Sequence, residues 1–113
     1  MSGIVFFATN NLVRLEDFYS NLIGCEIWLK QTDCTIFKNG NLLLGFCQRE
    51  DAETKGTICF YFEDRSEVDD YYSRLRDIAD SPPEYNEKYR IYHFYAHDPE
   101  NRKVEFQTFE HEL

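Results

Sequence analysis

Two stretches decide how this chain is read: GIVFFATNNLVRLEDFYSNL, Gly3 to Leu22, and GTICFYFEDRSEVDDYYSRL, Gly56 to Leu75. Set one above the other they align without a gap. Gly3/Gly56, Phe7/Phe60, Asp17/Asp70, Tyr19/Tyr72, Ser20/Ser73 and Leu22/Leu75 are identical, and Val5/Ile58, Leu15/Val68, Glu16/Asp69 and Phe18/Tyr71 are conservative. Self-similarity at one fixed offset is the mark of a duplicated structural unit. Each copy opens with a short apolar run rich in β-branched and aromatic residues, IVFFAT or TICFYF, which favours a buried strand. Each then carries apolar residues at helical spacing: Leu15, Phe18, Tyr19 and Leu22 over Leu12 to Ile23, and Val68, Tyr71, Tyr72, Leu75 and Ile78 over Ser66 to Ala79. Ser66 with Asp69 predicts a capping box at the start of the second helix.

Outward from these segments the same order of elements recurs. CEIWLK, DCTIFK and LLLGFC read as three strands, the last two joined at Asn39-Gly40, a pair suited to a type I′ turn. After the second helix, Pro82 and Pro83 block continuation, Glu84 to Lys88 reads as an edge strand, and RIYHFYAH and KVEFQTF form a hairpin across Asp98-Pro99. The reading is therefore α+β: two tandem βαβββ modules, about 1–48 and 56–110, joined by the polar linker Gln48 to Lys55 within one domain, 1–113.

Composition narrows the function classes. Asp and Glu number 21 against 12 Lys and Arg, a formal charge of −9 that repels phosphate backbones and anionic lipid. Neither a nucleic-acid nor a membrane partner is expected, and without a signal-like N-terminus the expected location is cytoplasmic. The C-terminal EHEL has the look of a retention signal but no secretory leader to act with. Cys25, Cys34, Cys47 and Cys59 form no C-x-x-C pair and three sit in apolar runs, so they read as reduced core residues.

The tandem order, a helix ending in DFY, and a last hairpin of the form DPEN followed by VEF resemble the vicinal oxygen chelate superfamily, which includes glyoxalases, extradiol dioxygenases and bleomycin-resistance proteins. The resemblance spans essentially the whole chain. Where many members have DPDG or DPNG at the turn, this chain has Asn101, which tolerates the left-handed conformation. The resemblance implies a curved mixed sheet around a concave pocket, with helices outside, and a homodimer. It also implies four metal-ligand positions, which here fall on Ile4, Leu44, Thr57 and Glu105. Only Glu105 is a competent ligand, so no metal and no other cofactor is expected.

Strand alternation then selects the pocket side. Glu105 and Gln107 share a face with His93 and Tyr95; Phe6 and Ala8, Cys59 and Tyr61, and Leu42, Leu44 and Phe46 are placed there too, with Thr57 a further ligand-binding candidate and Trp28 at the mouth. His97 falls at a strand end, exposed. A carboxylate within an apolar strand needs a partner, and Lys103 or Arg90 is the bland choice for Glu105. The leading expectation is a metal-free binder of an aromatic or cationic small molecule. The alternatives are a glyoxalase-like lyase or isomerase with Glu105 as general base and His93 assisting, and a ligand-free interaction module.

Overall fold

The computed structural model describes residues 1–113, which divide into two compact units, Met1–Thr54 and Lys55–Leu113. The first contains strands β1 (Val5–Thr9), β2 (Glu26–Lys30), β3 (Cys34–Asn39) and β4 (Leu42–Gln48), with helix α1 (Leu12–Glu16) continued by a π-helical segment, Asp17–Leu22. The second contains β5 (Thr57–Phe62), helix α2 (Arg65–Leu75), β6 (Glu84–Asn86), β7 (Ile91–His97) and β8 (Lys103–Phe109). Each forms a four-stranded mixed sheet of the same order, β1-β4-β3-β2 and β5-β8-β7-β6, its first strand parallel to its last and the rest antiparallel. The tandem βαβββ reading therefore holds.

In each unit the helix packs on one face of its sheet, and aromatic rings fill the contact. Tyr19 stacks on Phe46 and tilts against Phe37. In the second unit Tyr71 stacks on Phe106 while Tyr72 meets Phe94 edge-on. These are the two cores.

The helices depart from the sequence reading in instructive ways. Helical periodicity places Leu22 in the first core, but the buried residues are Leu15, Phe18, Tyr19 and Ile23. The Ile23 amide donates to the Phe18 carbonyl five residues back (2.9 Å), and this wider turn brings Ile23 inward in place of Leu22. The second helix starts earlier than Ser66: Asp64 is its cap, accepting the Glu67 N–H at 3.2 Å, and the Glu67 carboxylate accepts the Glu63 N–H. Glu67 completes the box that Asp69 is too short to close. The helix ends at Leu75, and Ile78 lies outside it, partly exposed.

The β3–β4 turn is also displaced by one residue. Asn39 pairs with Leu42, so the loop is Gly40-Asn41, with Gly40 at φ +57°. Glycine at the first loop position suits a type II′ turn. This shift changes which residues of β3 lie opposite those of β4. Phe6 pairs with Gly45 and Ala8 with Cys47, whereas Leu44 and Phe46 pair with Val5 and Phe7 and are buried under the helix. Leu44 and Phe46 (and with them Leu42) thus lie on the opposite face from Phe6, contrary to expectation. Both faces of LLLGFC are apolar, so alternation carried no signal there. Gly45 is where it is because the Phe6 ring occupies its side-chain space: an added Cβ would stand 2.4 Å from that ring.

The cysteines require the larger correction. Cys34 and Cys47 face one another across β3 and β4 and are joined in a disulfide, with Cα atoms 4.0 Å apart; Cys25 and Cys59 are free.

Candidate functional site

On the helix-free face of the second sheet, three strands bring together the residues that alternation selected. The ladder sets Cys59 beside Glu105 and Glu105 beside Tyr95; one step along, Tyr61, Gln107 and His93 lie in line. Ile58, Phe60, Phe94, Val104 and Phe106, the intervening residues, are all buried. A polar group on this face is therefore backed by hydrocarbon.

At its centre the His93 Nδ1–H donates to Glu105 Oε2 at 2.8 Å, both side chains being almost buried, at 10% and 13% exposure. Glu105 thus has a partner across the strand, and it is neither Lys103 nor Arg90. Lys103 instead lies over the Tyr95 ring, 4.8 Å from its centre. Tyr95 also meets the His93 ring edge-on, and Tyr61 meets Phe109 likewise. Phe109 escaped the sequence reading, although its parity with Glu105 and Gln107 marks it. His97, expected in solvent, is partly covered and pairs with Asp80 at 3.0 Å.

The carboxylate shapes its neighbours. Burial pushes the Cys59 thiol up to about 12, assisted by the negative charge of Glu105 and a hydrogen bond to it, with Gln107 acting in the other direction. Burial and then Glu105 likewise raise the Tyr95 hydroxyl. Both groups are held as neutral donors, and Cys59 is not a nucleophile at neutral pH. The folded thiol titrates above its unfolded value of 9.0, so its stabilisation is complete below pH 9 and is lost as pH rises toward about 12. Cys59→Ala is expected to flatten the decline of unfolding free energy between about pH 9 and pH 11, measured by urea melts; an unchanged slope relative to the parent contradicts this assignment. Cys25, raised by burial too, contributes equally to both proteins.

The four positions of the metal pattern do not make a donor set. Ile4 offers hydrocarbon, Leu44 is buried on the other face, the register puts Gly45 beside Phe6, and Thr57 contributes an exposed neutral hydroxyl. No three His, Cys, Asp or Glu side chains are grouped to hold an ion. The residues present do not fit the divalent metal of the metal-dependent chelate proteins.

Two cavities lie in the first unit. One, about 500 Å³, is lined by Ile4, Trp28, Lys38 and Leu43 among others. The other, about 310 Å³, is lined by Phe6, Ala8, Cys34, Cys47, Arg49 and Glu53.

No family model matches the sequence, and no curated protein does. Solved structures do. A lactoylglutathione lyase from Agrobacterium tumefaciens is 25% identical, with 96% of this chain and 94% of that one superposed at a TM-score of 0.79. A glyoxalase/bleomycin resistance protein/dioxygenase from Nocardioides is 16% identical over 100% of this chain and 89% of its own, with a TM-score of 0.79. A genomically encoded fosfomycin resistance protein from Listeria monocytogenes is 17% identical over 96% and 93%, at 0.78. The chain has the fold of the glyoxalase/bleomycin resistance/dioxygenase proteins, consistent with the vicinal oxygen chelate superfamily. No helix is long and apolar enough to cross a membrane.

Proposed function

We propose that this protein binds an aromatic or cationic small molecule, without a metal, on the β5–β8–β7 face. The observation that carries the reading is the nearly buried Glu105–His93 pair, ringed by the neutral donors Tyr95 and Cys59 and by the Gln107 amide. A carboxylate fixed by one partner, with Tyr95 beside it and Tyr61 and Phe109 further along the same face, suits a flat ligand that carries a positive charge or N–H donors. The rings supply stacking area and the carboxylate supplies orientation. The formal charge of −9 favours the approach of a cation.

A panel of aromatic cations and neutral heteroaromatics, screened by thermal shift with and without chelator, tests this. Saturable stabilisation that survives the chelator and is lost in Glu105→Gln is the expected result. At ligand concentrations a hundredfold above Kd the gain is about 2.7 kcal/mol, readily visible. A panel that stabilises nothing, or only with added divalent ion, removes the proposal.

The same pair supports a second reading, a lyase or isomerase in which Glu105 removes a proton while His93 holds the carboxylate in place. It shares the binding face, and turnover of a bound carbonyl compound, abolished in Glu105→Gln with binding retained, distinguishes it from capture alone.

A further inference from the structure

The Cys34–Cys47 bridge lies in the first unit, on the face away from α1, and both of its residues line the 310 Å³ cavity. The Gln48 amide donates to the Asp33 carbonyl at 2.7 Å, which makes the next pair, Cys34 and Cys47, a non-hydrogen-bonded one, where side chains approach most closely. The hairpin does not depend on the bridge for its register. A two-residue turn and a continuous ladder from Cys34–Asn39 to Leu42–Gln48 already set it.

The two sulfurs are not equivalent. Cys34 is buried at 7% exposure, with the Asp33 Oδ1 3.5 Å from its Sγ; Cys47 is half-buried and opens to the cavity. A disulfide sulfur has no proton to offer that carboxylate, whereas a Cys34 thiol does. The reduced state thus has a hydrogen-bond partner already in place, and the oxidised state fits the ladder. Both states are compatible with one fold.

The cavity wall carries one charge of each sign: Arg49, paired to Asp33 at 2.9 Å, and Glu53, whose Oε1 accepts the Ala8 N–H.

We propose that Cys34 and Cys47 form a thiol–disulfide exchange site, served through this cavity by a small-molecule thiol. The thiolate attacks Cys47 Sγ, the Cys34–Cys47 bond breaks, and Cys34 leaves as a thiolate that takes a proton from water and donates it toward Asp33. A second small thiol attacks the mixed disulfide on Cys47, releasing the Cys47 thiol and the symmetrical small-molecule disulfide. Two thiols are oxidised as one protein disulfide is reduced, and the reverse sequence re-forms the bridge.

The test uses the full chain in cysteamine–cystamine mixtures without denaturant, acid-quenched and read by mass spectrometry with peptide mapping. The bridge is expected to open and re-form with the far-ultraviolet circular dichroism unchanged. Cys34→Ser should accept cysteamine on Cys47 about tenfold faster than Cys47→Ser accepts it on Cys34, following access. A bridge that opens only as fast as the chain unfolds overturns the proposal, as do equal rates at the two cysteines. Should a serine variant fail to fold, the wild-type measurement decides alone.

Discussion

Glu105→Ala is expected to lower the melting temperature by about 10 °C, the consequence of losing about 2 to 3 kcal/mol. The magnitude follows from what is left behind rather than from what is removed. His93 Nδ1 then has no carboxylate at 2.8 Å, and its ring, at 10% exposure, remains beneath Tyr95 with little access to water. A buried polar group stripped of its partner bears most of its desolvation cost. Glu105→Gln separates the structural and functional roles of the residue. Its amide oxygen still accepts from His93, so about 1 kcal/mol or less should be lost, but the charge that orients a cationic ligand is gone. Calorimetric melts of the two variants check this directly. If alanine and glutamine melt together within about 2 °C of the parent, the pair is not the buried unit described here and the ligand site loses its anchor.

How much of this was legible before the structure depends on the kind of signal each residue carries. In the second unit, β7 and β8 alternate polar with apolar side chains, and that alone placed His93, Tyr95, Glu105 and Gln107 on one face. The partner of Glu105 was not legible, because alternation fixes a face and not a contact across strands. In the first unit LLLGFC is apolar throughout, so alternation chose no face for Leu44 and Phe46, and the pairing of β3 with β4 rested on the position of the turn. Asn39-Gly40 looked the better turn pair, but the ladder closes around Gly40-Asn41. That single residue also hid the disulfide. Centred on Gly40-Asn41, Cys34 and Cys47 are equidistant from the turn and must face one another; centred one residue earlier, Cys34 faces Gly45. The π-helical turn before Ile23 was illegible for a different reason. Leu22 and Ile23 are both apolar, and tertiary packing, not periodicity, chose between them.

The hairpin that carries His93 and Glu105 rests on the Asp98–Asn101 turn, and there Arg102→Ala is expected to have the largest effect on stability, about 3 to 5 kcal/mol. Arg102 is among the largest fully buried side chains, 1% exposed, and its Nη1 donates to Asp98 Oδ2 at 3.0 Å and to Glu100 Oε1 at 2.9 Å. Asp98 Oδ1 meanwhile accepts the backbone N–H groups of Glu100 and Arg102, closing a turn in which Asn101 takes φ +66°. Removing the guanidinium leaves two covered carboxylates facing each other without their cation, and like charges close together in a poorly solvated site repel strongly. Arg102→Lys should recover only part of the loss, since a tetrahedral, strongly hydrated ammonium does not reproduce the two in-plane N–H groups that Nη1 directs at the two carboxylates. Asp98→Asn combined with Arg102→Met should be more stable than Arg102→Met alone, because it withdraws an uncompensated charge as well as the cation. The effect should reach the binding face through register: the turn holds Tyr95 opposite Glu105 and His93 opposite Gln107. Urea melts give the energies, and amide exchange across β7 and β8 reports the register. An Arg102→Ala protein within about 1 kcal/mol of the parent, with the exchange pattern of the hairpin intact, means that the backbone ladder alone sets the geometry around Glu105.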